Sequence, residues 1–123
     1  VIQNKIMTTE QIKISYNLAE DVYNGNKTLK EAKELGAESG ISPNSINYYC
    51  TSFKHMMNGT RHTGSIGTEV REYFLSRIFS KYDEKIKRNA LIAFEQTIMY
   101  DEERHHCTLH KNRDIIEKYR GLL

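Results

Sequence analysis

One stretch of the sequence constrains the fold more than any other, because it combines helix-start signals with an apolar stripe at helical spacing. Gly40 offers a turn, Ser42 is a favoured N-cap residue, and Pro43 suits the first helical position. The apolar residues that follow recur every three or four positions: Ile46, Tyr49, Cys50, Phe53 and Met57. This pattern predicts a helix over residues 43–57 that is entered through a turn.

The segment before the turn also predicts a helix. Thr28 and Glu31 form a capping box, and the helix they open should run to about Glu38. Two helices joined through a turn that contains glycine are typical of a helix-turn-helix. The predicted link, residues 36–40, is looser than in the tightest examples of the motif. An ordinary helix pair within a bundle is therefore the alternative interpretation.

Helical periodicity extends over most of the 123 residues, which include one proline and seven glycines. The sequence therefore predicts an all-α fold, a compact bundle of five to six helices that contains a helix-turn-helix-like unit. The expected helices cover about 9–24, 29–38, 43–57, 68–82, 84–103 and 112–120. We expect residues 8–123 to form a single helical domain. Residues 1–7 are expected to be a disordered extension or a remnant foreign to the natural protein.

Composition indicates a folded chain outside the membrane. Hydrophobic residues make up 38% and charged residues 28% of the sequence, which is typical of a globular protein. No apolar run approaches the ~20 residues that a membrane-spanning helix needs. The N-terminus also lacks the apolar segment of a secretory signal. The expected compartment is the cytoplasm, where Cys50 and Cys107 would both be reduced.

The face of the 43–57 helix opposite the apolar stripe carries short hydrogen-bonding groups, one aromatic ring and one cation. These residues are Asn44, Ser45, Asn47, Tyr48, Thr51 and Lys54. Such groups can meet base edges and phosphates in the major groove of DNA. The sequence therefore predicts that the first five face double-stranded DNA and that Lys54 holds a phosphate.

The formal net charge of +2 identifies no partner, but the charge is unevenly distributed. Residues 42–82 hold five Lys and Arg against two acidic residues. The connection over residues 58–68 exceeds the usual helix–helix loop of about 2–8 residues. Arg61 and His62 in this loop, with Arg71 and Arg77 on the next helix, are the further predicted phosphate ligands. A surface loop without a binding role is the alternative for residues 58–68.

Residues 105–110 contain three histidines and one cysteine. On a helix, His106 and His110 would share one face, as would Cys107 and His110. Imidazole and thiolate at this spacing can bind zinc. Structural zinc sites usually take two separated pairs of ligands, and the sequence has no second cluster. An exposed helix end is therefore the favoured interpretation, and no metal or other cofactor is predicted.

Catalytic motifs are missing from the sequence. It contains no nucleophile–base motif, no phosphate-binding loop and no HNH nuclease centre. We therefore interpret the chain as a binding protein and not as an enzyme.

The order of signals from Ile14 to about Glu103 resembles a known type of helical domain. The segments that carry the resemblance are residues 16–19, 22–25, 40–46, 53–59, 72–78, 89–93 and 98–100. They resemble the N-terminal DNA-binding domain found ahead of HNH nuclease domains in predicted, modification-dependent restriction endonucleases. His62, Gly67 and Thr97 depart from the family's pattern.

This resemblance implies that the chain binds double-stranded DNA in a restriction or defence system. It further implies sensitivity to base modification and a nuclease domain that is fused or supplied by a partner. The alternative is a protein-interaction module or inhibitor from a phage or mobile element. Such a protein would act as a helical dimer and bury the exposed face of the 43–57 helix.

Overall fold

A computed structural model describes residues 7–62 and 66–123 of the chain. Within these ranges the chain forms six α-helices and no strand, which confirms the predicted all-α class. The helices are α1 (Thr9–Tyr23), α2 (Leu29–Glu38), α3 (Pro43–Asn58), α4 (Thr68–Lys81), α5 (Glu84–His105) and α6 (His110–Arg120). A search of the described helices for one that is long and apolar enough to cross a membrane finds none. Residues 1–6 of the predicted extension lie outside the described residues.

The chain divides into two compact units, Val1–Cys50 and Thr51–Leu123. The first unit contains α1, α2 and the N-terminal half of α3. The second contains the C-terminal half of α3 and all of α4, α5 and α6. The expectation of a single domain over residues 8–123 stays a prediction.

In the first unit, α1 packs against α2. Both helices begin with capping boxes, Thr8 with Gln11 and the predicted one of Thr28 with Glu31, in which side chain and backbone pair in both directions. The buried side chains of this unit come from all three helices and from the turn: Ile12, Tyr16, Leu18, Ala19, Ala32, Ile41, Ile46 and Tyr49. Capping therefore fixes where each helix starts, and the apolar faces close over one another.

The turn between α2 and α3 is tighter than the sequence suggested. Gly36 belongs to α2, so the link is the four residues 39–42 instead of residues 36–40. Gly40 has φ +78°, and its N–H donates to the carbonyl of Ala37 (3.0 Å). The N–H of Ile41 donates to the carbonyl of Gly36 (2.9 Å). These two bonds form a Schellman motif, in which glycine supplies the left-handed residue that ends the helix.

The start of α3 is fixed by Ser42. Its Oγ accepts a hydrogen bond from the backbone N–H of Ser45 (3.1 Å), and its hydroxyl donates to the Oγ of Ser45 (2.9 Å). Pro43 follows as the first helical residue, where a missing N–H breaks no helical bond. The N-cap predicted from the sequence is therefore present.

The approach of α2 to α3 requires a residue with no side chain at position 36. A Cβ atom on Gly36 would lie 2.7 Å from both Cγ1 and Cδ1 of the fully buried Ile46. Apolar spacing from Leu29 and Ala32 predicts that Leu35 also faces inward, but this prediction is wrong, because Leu35 is 39% exposed. Gly36 takes the inward position, since it lets the two helices come closer than a leucine would allow.

In the second unit, α5 packs against both α4 and α6. Edge-to-face ring pairs join Phe53 to Phe74 (6.3 Å between centroids) and Phe79 to Tyr119 (5.0 Å). The end of α3 is held by Asn89 of α5, whose Nδ2 donates to the carbonyl of Met57 (3.0 Å). This bond satisfies a terminal carbonyl of α3 and fixes where the following loop begins.

Replacing Gly36 with alanine is expected to destabilise the fold, although alanine is the better helix former by about 1 kcal/mol. The overlap of the new Cβ with Ile46 should outweigh that gain, because overpacking a core typically costs ~1–3 kcal/mol. Urea unfolding followed by circular dichroism should give a lower midpoint for Gly36→Ala than for the wild type.

The control is Leu35→Ala, at the neighbouring exposed position. It should change the free energy of unfolding by no more than about 1 kcal/mol. An unchanged or higher midpoint for Gly36→Ala would contradict the close approach of α2 to Ile46.

Candidate nucleic-acid interface

The N-terminal half of α3 presents a polar face at the surface of the first unit. Asn44, Asn47 and Tyr48 are exposed, and 46% of Tyr48 is accessible to solvent. Ser45 is half-buried, and its Oγ already accepts the hydroxyl of Ser42. Two amides and one phenol are therefore the groups of this face that are most accessible to a partner.

The second unit contains the remaining predicted contact residues. Thr51 is half-buried, whereas Lys54, Arg61 and Arg77 are exposed. These three cations lie on α3, in the loop after it and on α4 respectively. Their exposure fits the predicted role of holding phosphates.

Two predicted phosphate ligands, His62 and Arg71, are buried. The side chain of Arg71 on α4 is only 10% exposed. Its guanidinium forms an ion pair with Asp101 of α5 (3.2 Å). The backbone N–H of His62 donates to Thr97 Oγ1 (3.2 Å), and the imidazole ring lies 5.6 Å from that of His55. Neither side chain is accessible enough to hold a phosphate.

A cluster that the sequence analysis missed surrounds Tyr100 on α5. The guanidinium of Arg61 lies over the Tyr100 ring, 4.2 Å from its centroid, and that of Arg104 lies 5.5 Å away. Both contacts fall in the range of cation–π attraction. Tyr100 and Arg104 are four residues apart on one helix, a spacing that could have indicated the second contact. Nothing local in the sequence indicates the first contact, because Arg61 lies far away in a loop.

Gln96, Met99, Tyr100 and Glu103 of α5 line an open groove together with Arg61. The groove measures about 470 Å³. It combines an aromatic ring, a thioether, an amide, a carboxylate and a guanidinium. Such a surface can hold a group that carries both negative charge and hydrogen-bonding atoms.

The helical arrangement that a metal site on the histidine cluster would need is not present. Helix α5 ends at His105, and His106 is its C-cap in the left-handed conformation (φ 52°). Cys107 is an exposed residue of the link, and His110 begins α6. His106, Cys107 and His110 therefore do not share a helix face. Within residues 7–62 and 66–123, no group of three or more His, Cys, Asp or Glu side chains is arranged to hold a metal ion.

The link between α5 and α6 is instead organised by Glu102. Its Oε2 accepts the backbone N–H of Leu109 (2.9 Å) and the Nε of Arg113 (3.0 Å). Its Oε1 pairs with the second arm of the same guanidinium. Hydrogen bonding from Arg113, followed by that from the Leu109 amide, lowers the pKa of Glu102 to about 2. The carboxylate of Glu102 is therefore ionised, and in this form it fixes the first turn of α6.

Comparison with protein-family models, with curated proteins and with solved structures finds no match to this chain.

The Glu102 junction predicts a stability that depends on pH. The pKa is lower in the fold (about 2) than in an unfolded chain (about 4.3). The contribution of the ionised Glu102 to stability is therefore fully present at pH values above the unfolded pKa. It is lost as the pH falls toward the folded pKa. Glu102→Gln should lower the thermal midpoint at pH 7, and its difference from the wild type should shrink as the solution is acidified.

Glu103→Gln is the matched control, because the neighbouring carboxylate is exposed and should leave the midpoint nearly unchanged. A Glu102→Gln difference that stays constant from neutral pH to about pH 2 would contradict the role of the ionised carboxylate.

Proposed function

We propose that the chain is a DNA-binding module of a restriction or defence-type system. It recognises double-stranded DNA through α3 and the segment over residues 58–68, of which residues 63–65 lie outside the described residues, and it responds to base modification. The observation that carries the proposal is the exposed polar face at the start of α3, directly after a four-residue turn. In helix-turn-helix proteins, the residues at the start of the second helix contact base edges.

The exposed groups of this face suit readout in the major groove. An asparagine amide can pair with adenine N6 and N7 in a bidentate contact, and Asn44 and Asn47 both present such amides. The ring of Tyr48 is an apolar surface for a methyl group at position 5 of a pyrimidine. Ser45 and Thr51 are half-buried and contribute less. A difference in affinity between methylated and unmethylated DNA would therefore arise at Tyr48.

The exposed cations of the second unit, Lys54, Arg61 and Arg77, hold phosphates in this proposal. Phosphate contacts position a protein on the duplex and do not read its sequence. In this proposal the module binds DNA without cutting it, and cleavage belongs to a fused or partner nuclease domain. The resemblance to the domain ahead of HNH nucleases supports this division between a binding module and a nuclease domain. A restriction system acts on DNA in the cytoplasm, which is the compartment that the proposal requires.

The proposal predicts two separable effects of substitution. Asn47→Ala should reduce the preference among duplex sequences, because a bidentate base contact contributes about 1–3 kcal/mol of discrimination. Lys54→Ala should weaken binding to all duplexes similarly and reduce the log–log salt slope by about 0.9. Fluorescence anisotropy on methylated and unmethylated duplexes, from ~50 to ~200 mM salt, would measure both.

Lys85→Ala is the control for Lys54→Ala, because Lys85 is an exposed lysine of α5 in the same unit. It should leave the affinity and the salt slope nearly unchanged. No binding of the wild type to any duplex at ~50 mM salt would refute the proposal, since even non-specific association is strong there.

A helical dimer is the second candidate function, and the exposure of Tyr48 favours it. A large aromatic ring that is 46% accessible is typical of an interface as well as of a DNA contact. If this face binds a second copy, light scattering should give twice the monomer mass, and Tyr48→Ala should restore the monomer. A wild type that is monomeric at all accessible concentrations would exclude the dimer.

A further inference from the structure

Arg61 and Arg104 differ from most other arginines of the second unit in their electrostatic partners. Ion pairs with carboxylates engage Arg71, Arg88, Arg113 and Arg120. For Arg61 and Arg104, the part of the chain that the structure describes provides no carboxylate within ion-pair distance. Both side chains are exposed, and both lie over the same ring.

The Tyr100 ring orders these two cations without neutralising them. An exposed arginine ordinarily samples many rotamers, and a partner that fixes it must compensate for the lost side-chain entropy. A ring face provides part of that compensation through its quadrupole and leaves the N–H groups of the guanidinium available. Arg61 and Arg104 are therefore preorganised donors whose positive charge no ion pair within the described residues neutralises.

The spacing suits a tetrahedral anion. The two guanidinium carbons lie 4.2 and 5.5 Å from one centroid, so they cannot be farther apart than the sum of those distances. A phosphate can bridge two guanidiniums that lie on the same side of the ring, by accepting a hydrogen bond of about 2.7–2.9 Å from each. Arginine is preferred over lysine at such sites because its planar fork matches the phosphate oxygens.

We propose that Arg61 and Arg104, held over the ring of Tyr100, form a phosphate-binding site whose natural ligand is a backbone phosphate of a nucleic acid. The inference rests on the proposed function only in taking the phosphate from a nucleic acid. Arg104 and Tyr100 extend the contact surface onto α5. Arg61 and Arg104 touch the ligand, whereas Tyr100 is a positioning residue.

Glu103 makes the site weaker than it could be. This exposed carboxylate lines the groove beside Arg61 and Tyr100, and its charge opposes that of a phosphate. Removing the charge should therefore tighten phosphate binding. A gain in affinity is diagnostic, because a misfolded variant cannot produce it.

The direct test is a titration of the full-length, ¹⁵N-labelled chain with inorganic phosphate at constant ionic strength, followed by NMR of the arginine Nε–Hε signals. The signals of Arg61 and Arg104 should shift together and saturate, while that of Arg88 should not move. Chloride in place of phosphate is the control. Shifts that are absent, or that are equal for Arg61 and Arg88, would overturn the site.

Variants then separate ligand contacts from positioning. Arg104→Ala should weaken phosphate binding by about threefold or more, and Glu103→Gln should strengthen it by a similar factor. Tyr100→Leu should weaken binding while both cations remain, and Tyr100→Phe should restore it because the ring face is kept. Equal phosphate affinity in the wild type, Arg104→Ala and Glu103→Gln would overturn the assignment.

Duplex binding identifies the source of the phosphate. Arg104→Ala should reduce the salt slope by about 0.9, whereas Arg88→Ala should not change it. If phosphate shifts both arginines but Arg104→Ala leaves the salt slope unchanged, the nucleic-acid assignment is refuted. If the wild type binds phosphate but no DNA, the proposed function and the nucleic-acid assignment both fail, while the phosphate site itself is supported. If Asn47→Ala alters DNA preference but neither arginine responds to phosphate, only the site is wrong.

Discussion

The packing of the first unit depends on a missing side chain at position 36. Gly36 lets α2 approach the buried Ile46 of α3 so closely that a Cβ atom there would lie 2.7 Å from two of its carbons. The Schellman motif at Gly40 and the N-cap at Ser42 then set the direction and the first residue of α3. Because successive helical residues point about 100° apart, these contacts decide which side chains of α3 are exposed. The polar face of Asn44, Asn47 and Tyr48 is a consequence of that packing.

In the second unit, charge pairing decides which cations remain available to a partner. Arg71 lies on α4 within the basic range 42–82, yet Asp101 neutralises it and the side chain is buried. Arg61 and Arg104 lie over Tyr100, a ring that orders them and leaves their charge in place. The excess of basic residues over 42–82 is therefore a poor measure of the binding surface. The accessible positive charge extends instead to α5, beyond that range.

The end of α5 illustrates how a backbone conformation can remove an apparent site. His106 and His110 have helical spacing in the sequence, but the left-handed residue at 106 ends the helix between them. Glu102 reaches across the link and accepts hydrogen bonds from the amide of Leu109 and from Arg113, so Glu102 has a structural role. Through these bonds the ionised carboxylate of Glu102 stabilises α6. The buried Ile115 and Ile116 of this helix belong to the core of the unit.

The sequence by itself determined the six helices of the described residues and most of their starts, because caps, proline and apolar spacing act within a few residues of one another. The exception is α6, which was expected from residue 112 and begins at His110. Thr28 and Ser42 are both N-caps, as predicted from the sequence. Only the tertiary structure decided which face of α2 turns inward, that Arg71 is paired, and that Arg61 meets Tyr100. Each of these depends on a contact between residues that are distant in sequence, such as Arg71 with Asp101. Local propensity contains no information about such a partner, since the partner is chosen by how the helices pack.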